Sequence, residues 1–167
     1  GPKRFDAPWK DIEAQGWIAP ADCTEVRVQL TDAERMVYAT AEQTDKFRLA
    51  ATTPTKNKVV RKIMAMHPDE PTLIIGAYLD QLQEIAEELD IPVIDGKTGN
   101  AAREKLYQQF RDGEVPVLAV SKVANFSVDL PGASVAIQIS GTFGSRQEEA
   151  QRLGRVLRPK GDGRTAH

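Results

Sequence analysis

The spacing of apolar positions changes along the chain, and each change predicts an element. "EVRVQL" (25–30) alternates apolar and polar residues, the pattern of a short strand. "TDAE" follows it, with Thr31 placed as an N-cap and Glu34 placed to reach back. A helix should open there and run to about residue 50. Pro54 breaks the chain, and a second helix is predicted over 55–66 with Val59, Ile63 and Met66 on one face. A more regular alternation then begins. "TLIIGA" (72–77) reads as a buried strand, and Leu79, Leu82, Ala86 and Leu89 recur at helical spacing. "IPVID" (91–95) is a strand. "NAAREKLYQQFRDG" (100–113) is a helix with Asn100 as N-cap, Ala102, Leu106 and Phe110 inward, and Gly113 just past its end. "VPVLAVS" (115–121) and "SVAIQIS" (134–140) are further strands. Ser145 and Glu148 form a second capping box and open a last helix.

Strands that alternate with helices in this way predict an α/β fold, a three-layer domain with a mostly parallel sheet covered on both faces. The 167 residues suit one such domain. Residues 3–24 break the pattern. They carry Pro8, Pro20, Trp9 and Trp17 and read as an arm held down by aromatic anchors. Open parallel sheets bind ligands at the carboxyl ends of their strands. Three segments fall there: "DGKTG" (95–99), "SKVANFSVDLPG" (121–132) and the start of the last helix.

Charge sharpens the third of these. The net charge is only −2, so no global basic field points to nucleic acid. The distribution is uneven, however. Residues 146–164 hold six basic side chains against three acidic ones, and "KNKVVRK" (56–62) holds four cations and no acid. In "SRQEEAQRLGRVLRPK" (145–160), helical spacing puts Gln151, Arg155 and Arg158 on one face and Ala150, Leu153 and Leu157 on another. Gly154 costs such a helix roughly 1 kcal/mol relative to alanine, which suggests close approach to its backbone. Spacing alone fits a solvated basic face equally well. "DGKTG" reads either as a phosphate cradle or as a simple turn. Asp129 reads either as a ribose-binding carboxylate or as a turn former before Pro131.

Other chemistry is thinly supplied. No G-x-x-x-x-G-K-[ST] string occurs in the chain, and no acidic D-E-x-H motif follows a strand. Arginines able to stabilise a transferred phosphoryl group are therefore present without a phosphate cradle, a combination that fits one half of a two-lobed motor. His67 and His167 have no neighbouring ligand residues, so no metal site is expected. The lone Cys23 allows no internal disulfide and suggests a reducing compartment. No apolar run approaches the ~20 residues of a membrane span. The opening Gly-Pro reads as a cloning remnant, and "DGRTAH" as the cut end of a longer protein.

The motifs resemble a known family. "QRLGRVLR" (151–158) is similar to motif VI of superfamily 2 helicases, Q/H-R-x-G-R-x-x-R. "VPVLAVSKVANFSVDLPGASVAIQIS" resembles motif V with the strand beyond it, and "TLIIGAYLDQLQEIAEEL" resembles motif IV. "IDGKTGNAAREKLYQQFRDG" matches the segment between them. "SKV", "DLP", "IQIS" and "GSRQEEAQRLGRVLRPK" are together most similar to the XPB family of DNA repair and transcription helicases, on its bacterial or archaeal branch. The stretch "APWKDIEAQGWIAPADCTEVRV" resembles the XPB segment that leaves the first motor lobe.

The resemblance implies a second RecA-like lobe over residues 25–167, truncated at its carboxyl end, with residues 1–24 leading from a first lobe that lies elsewhere. It implies ATP and Mg²⁺ shared with that first lobe. By motif position, Arg155 and Arg158 are the catalytic arginines, with Arg155 reaching the γ-phosphate. Gln151 and Arg152 organise the same edge, and Asp129 lies near the ribose. Ser121, with Lys122 beside it, and Thr98 would contact the DNA backbone. The implied partners are DNA, the first lobe of the same parent, and a nuclease or repair-complex protein, with no membrane. The implied location is cytoplasmic, or nuclear in a eukaryote. Lys122 and Ser127 depart from the Asp and Gly of many superfamily 2 relatives but agree with the XPB branch. A non-catalytic RecA-like module that binds nucleic acid or protein remains the alternative, and a flavodoxin-like small-ligand domain is a third reading.

Overall fold

The structure is a computed structural model, and it describes residues 24–121 and 133–140. Three helices come first: α1 (Asp32–Thr40), α2 (Gln43–Ala51) and α3 (Thr55–Met66). Strands and helices then alternate through β1 (Thr72–Gly76), α4 (Leu79–Leu89), β2 (Val93–Ile94), α5 (Asn100–Arg111), β3 (Val117–Ser121) and β4 (Val135–Gln138). The four strands form one sheet in the order β2-β3-β1-β4, and every pairing is parallel. The predicted α/β architecture is therefore present. Among the described residues, no helix is long and apolar enough to cross a membrane.

β1 explains the sheet. All five of its residues are buried, and its run Leu73-Ile74-Ile75 has no polar face to give to water. Such a strand is stable only with a partner on each edge and a layer on each face. β3 and β4 supply the edges. On one face Ile74 packs with Ala119, Val135, Ile137 and Ile139 under Leu82, Ile85 and Ala86 of α4 and Val60 of α3. The other face holds Leu73, Ile75, Ile94, Leu118 and Val120, all at most 1% exposed. The connection β1–α4–β2 runs outward across the sheet and β2–α5–β3 runs back, so right-handed crossovers put α4 and α5 on opposite faces. Tyr107 and Phe110 are the buried side chains that α5 brings to its face.

Helix ends follow local chemistry. The capping box is present as read: Thr31 Oγ1 accepts from the Glu34 N–H at 3.3 Å, and the Glu34 carboxylate accepts from the Thr31 N–H at 2.7 Å. α4 stops at Asp90, which adopts a left-handed φ of 53° and gives its N–H to Ala86 and Glu87. α5 ends as expected at Gly113, with φ of 79°.

Several expectations need correction. Residues 25–30 form no strand. Among the described residues they join no ladder of the sheet, and Val26 is 49% exposed. The helix from Thr31 does not reach residue 50. The Thr40 hydroxyl donates to the Met36 and Val37 carbonyls, Ala41 and Glu42 turn extended, and α2 folds back against α1. On α3 the inward residues are Asn57 and Val60, flanked by half-buried Ile63 and Met64, whereas Met66 is 73% exposed. On α5 the N-cap is Gly99 and not Asn100. Its inward pair is Tyr107 and Phe110, with Ala102 exposed. Phe110 and Ile63 do face inward as expected. Calls on residues 1–23 and on the helix opening at Ser145 lie outside the described residues.

Leu82→Ala should cost about 2–5 kcal/mol of folding stability, since Leu82 is fully buried between α4 and the sheet. Met36→Ala on the exposed face of α1 should stay within about 0.5 kcal/mol. Urea unfolding of both variants checks this, and similar losses at the two sites would contradict the core assignment.

Candidate functional site at the carboxyl edge of the sheet

Parallel register gathers the strand ends. Gly76 pairs with Ser121, Ile94 with Val120, and Ile75 with Gln138. The segments after β1, β2, β3 and β4 therefore leave the sheet side by side along one edge, where an open parallel sheet presents ligand-binding groups.

On the β2–β3 side the edge consists of "DGKTG" and Ser121. The segment 95–99 forms a compact turn closed by its own side chains. The Thr98 hydroxyl accepts from the Asp95 N–H at 3.0 Å and donates to Asp95 Oδ1 at 3.3 Å. The same Oδ1 accepts from the Lys97 N–H at 2.8 Å, and the Asp95 carbonyl accepts from the Thr98 N–H at 3.2 Å. The Thr98 hydroxyl is thus used inside the turn, and what the turn shows outward is Gly96 and Lys97, both exposed. A Cβ at Gly96 or Gly99 would meet nothing within 4 Å, so open space lies beside this backbone. Ser121 ends β3 at 9% exposure, directly opposite Gly76.

On the β1–β4 side the packing is tighter. A Cβ on Gly76 would come within 3.2 Å of Ile139 Cγ1 and 3.4 Å of Leu82 Cδ1, so glycine lets β4 and α4 close over the end of β1. The Ile139 N–H donates to Ile75 O at 2.9 Å, and Ser140 Oγ accepts from the Ala77 N–H at 2.9 Å. Lys56, from the first turn of α3, donates to Ile139 O at 2.8 Å and to Ala51 O at 2.7 Å. Gln81 Nε2 donates to the same Ala51 carbonyl at 2.9 Å. Burial pushes the Lys56 ammonium below its usual pKa. Arg48 pairs with Asp80 and lies 4.9 Å over the Tyr78 ring, tying α2 to the start of α4.

Of the candidates named from sequence, Thr98 and Ser121 are described, and the sheet brings them to the ends of neighbouring strands. Lys122, Asp129, Gln151, Arg152, Arg155 and Arg158 lie outside the described residues. For "DGKTG" the turn reading holds. The sequence reading missed Lys56, which was counted only as one cation of a basic run. A signal was available: Lys56 precedes the inward Val60 by four residues, so it begins the buried stripe of α3, whereas Lys58, Arg61 and Lys62 are exposed.

A parallel sheet in this order, with helices on both faces, is a RecA-like α/β fold. The C-terminal domain of the DEAD-box protein Dbp5 superposes with a TM-score of 0.58 over 70% of this chain and 69% of that one, at 17% identity, a likeness of fold alone. Residues 12–167 match the family described as ERCC3/RAD25/XPB C-terminal helicase. The chain is 68% identical over 163 residues to the DNA 3'-5' helicase XPB of Mycobacterium tuberculosis, covering 98% of this chain and 30% of that protein. It is 37% identical over 163 residues to the general transcription and DNA repair factor IIH helicase/translocase subunit XPB of Enterocytozoon bieneusi, covering 96% of this chain and 27% of that protein. The chain therefore belongs to the XPB family and corresponds to its C-terminal helicase domain. It spans less than a third of the length of these relatives.

Thr98→Val removes both hydrogen bonds of the hydroxyl from the 95–99 turn and leaves its shape otherwise intact. A loss of about 1–2 kcal/mol is expected, seen as a lower denaturant midpoint at constant m-value. An unchanged midpoint would show that the turn does not depend on this hydroxyl.

Proposed function

We propose that this chain is the second motor lobe of an ATP-dependent DNA helicase or translocase that acts in nucleotide excision repair and transcription. The match of residues 12–167 to an XPB-type C-terminal helicase carries the reading. In this reading residues 25–167 form the lobe, and residues 1–24 lead into it from the first lobe. The ATP-binding residues of the chain are those of motifs V and VI: Asp129 at the ribose, Gln151 and Arg152 along the cleft edge, and Arg155 and Arg158 at the phosphates. All five lie outside the described residues, so their assignment rests on the family match. Bound ATP with Mg²⁺ would supply the phosphoryl group whose transfer to water releases energy. The chain's own contribution is positive charge. Guanidiniums fixed beside a γ-phosphate stabilise the charge that spreads over it as it leaves, and such arginines are worth roughly 10³–10⁵ in rate in related enzymes.

The described edge supports the DNA half of the proposal. Translocation needs a grip on the phosphate backbone without reading bases. Ser121 at the end of β3 and the turn containing Thr98 after β2 stand on adjacent strands, with open space beside Gly96 and Gly99. Because the Thr98 hydroxyl is consumed within the turn, its contribution would be to hold the backbone amides in place, while Ser121 and Lys122 would offer side chains. The partners on this reading are DNA, the first lobe of the same parent and a repair-complex protein or nuclease. The 3'-to-5' direction in the name of the mycobacterial relative is the direction proposed here. The location proposed is the cytoplasm, or the nucleus in a eukaryote.

In the full-length parent, Arg155→Ala and Arg158→Ala should each lower DNA-stimulated ATP hydrolysis by about 10³-fold while ATP still binds within a few-fold of normal. Steady-state turnover with equilibrium nucleotide binding checks this. Unchanged turnover in both variants would overturn the assignment.

A further inference from the structure

We infer that the apolar stripe of α1, formed by Ala33, Met36, Val37 and Thr40, is the surface on which the first motor lobe of the same parent docks. The inference rests on the reading above, in which residues 1–24 lead into this lobe from the first one.

α1 is mounted with a polar face toward the body of the lobe. Glu34 and Tyr38 stand at i and i+4 and share that face. Glu34 Oε1 accepts from the Thr53 hydroxyl at 2.8 Å, and the Tyr38 ring lies 5.4 Å from Lys46 Nζ of α2. Ala33, Met36, Val37 and Thr40 recur at i, i+3, i+4 and i+7 on a different face, and all four are exposed. Met36 is 74% exposed and Val37 54%. Among the nine residues of the helix none is buried.

An ordinary surface helix does the reverse and turns its apolar stripe toward the core. With nine residues, α1 is also shorter than the ~12–15 that an isolated helix needs to persist in water. It depends on contacts, and its apolar contact surface faces outward. The stripe is edged by the Asp32–Arg35 ion pair at 3.7 Å. Exposed apolar anchors at this spacing, with a polar rim, have the form of a helix that lies in a partner's groove.

Two observations assign the partner. The first is position. Thr53, which holds Glu34, follows closely on Ala51, and Lys56 ties the Ala51 carbonyl to Ile139 O where β4 ends. α1 is thereby rooted beside the carboxyl edge of the sheet. In the proposed reading that edge meets a nucleotide shared between two lobes, which brings the first lobe to it. The second observation is the tether. The chain matches a C-terminal helicase family and spans less than a third of its relatives. The first lobe joins through residues 1–24, and α1 opens shortly after them at Asp32. A domain on so short a connection meets the stripe at high effective concentration, which a separate protein would have to exceed.

Two methionines of nearly equal exposure give the test an internal reference: Met36 at 74% on the stripe, and Met66 at 73% at the end of α3. Hydrogen peroxide converts an exposed thioether to its sulfoxide and is itself reduced to water. Peptide mass spectrometry reads the rate at each methionine in the 167-residue chain and in the full-length parent, with and without ATP. In the chain, Met36 and Met66 should oxidise at similar rates. In the parent, Met36 should slow by about 10-fold or more in at least one nucleotide state, while Met66 keeps its rate. Val37→Asp in the parent, which puts a charge into the stripe, should return Met36 to its rate in the chain. Should that variant fail to fold, the unsubstituted parent and the chain decide alone.

An unchanged Met36 rate in the parent overturns the inference, as does equal slowing of both methionines. A Met36 already slow in the dilute chain would mean that the chain covers its own stripe, and one that slows as the chain is concentrated would mean that a second copy covers it. Either result overturns the assignment to the first lobe. The Arg155→Ala parent separates this inference from the reading beneath it. If that variant is inactive while Met36 oxidises freely in the parent, this inference alone fails. If it turns over normally, the motor reading fails and takes the first-lobe partner with it.

Discussion

β1 is buried on both faces and paired in parallel on both edges, and its register determines where everything else in the lobe can stand. A slip of one residue would send Ile74 and Ile137 to the opposite face and break the packing with α4. The burial of Leu73, Ile74 and Ile75 therefore holds Gly76 opposite Ser121 and Ile75 opposite Gln138. That alignment brings the strand ends to one edge. The hydrophobic core thus acts on function through geometry, since it touches neither DNA nor nucleotide in the proposed reading.

The edge then divides into two parts with different physical character. Around the Thr98 turn it is open, with an exposed lysine and glycines that nothing crowds among the described residues. Around Gly76, Ile139 and Ser140 it is closed, with no room for a side chain at Gly76 and a half-buried cation tied to backbone carbonyls. An open part suits a long polymer that must slide, and a closed part suits an anchor that must not. The proposed motor would take its grip on phosphates from the β2–β3 side. Hydrolysis in one place and grip in another can then be coupled through one stiff sheet.

Much of this was legible in the chain itself. β1 was visible because an unbroken apolar run leaves a strand no exposed face, and the first capping box because Thr31 and Glu34 stand at the required spacing. The family was visible because the pattern of residues 151–158 is specific. The errors share a cause. Residues 25–30 alternate well but pair with none of the described strands, and alternation by itself does not say whether a partner is in place. The break at Ala41–Glu42 comes from the hydroxyl of Thr40 competing for carbonyls, a local choice that periodicity does not record. Lys56 was hidden by its company, since a run of four cations reads as solvated surface until the helix phase shows that its first member points inward. The partners of Lys56, Ala51 and Ile139, lie on other elements far along the sequence, where no local pattern points to them.

The central claim is that this chain is half of an ATP-hydrolysing machine. DNA-stimulated hydrolysis by the purified 167-residue chain, with folding verified by circular dichroism, tests it most directly. The account predicts turnover at background level for the chain alone under conditions in which the full-length parent hydrolyses ATP. Sustained, DNA-stimulated turnover by the pure chain would contradict it.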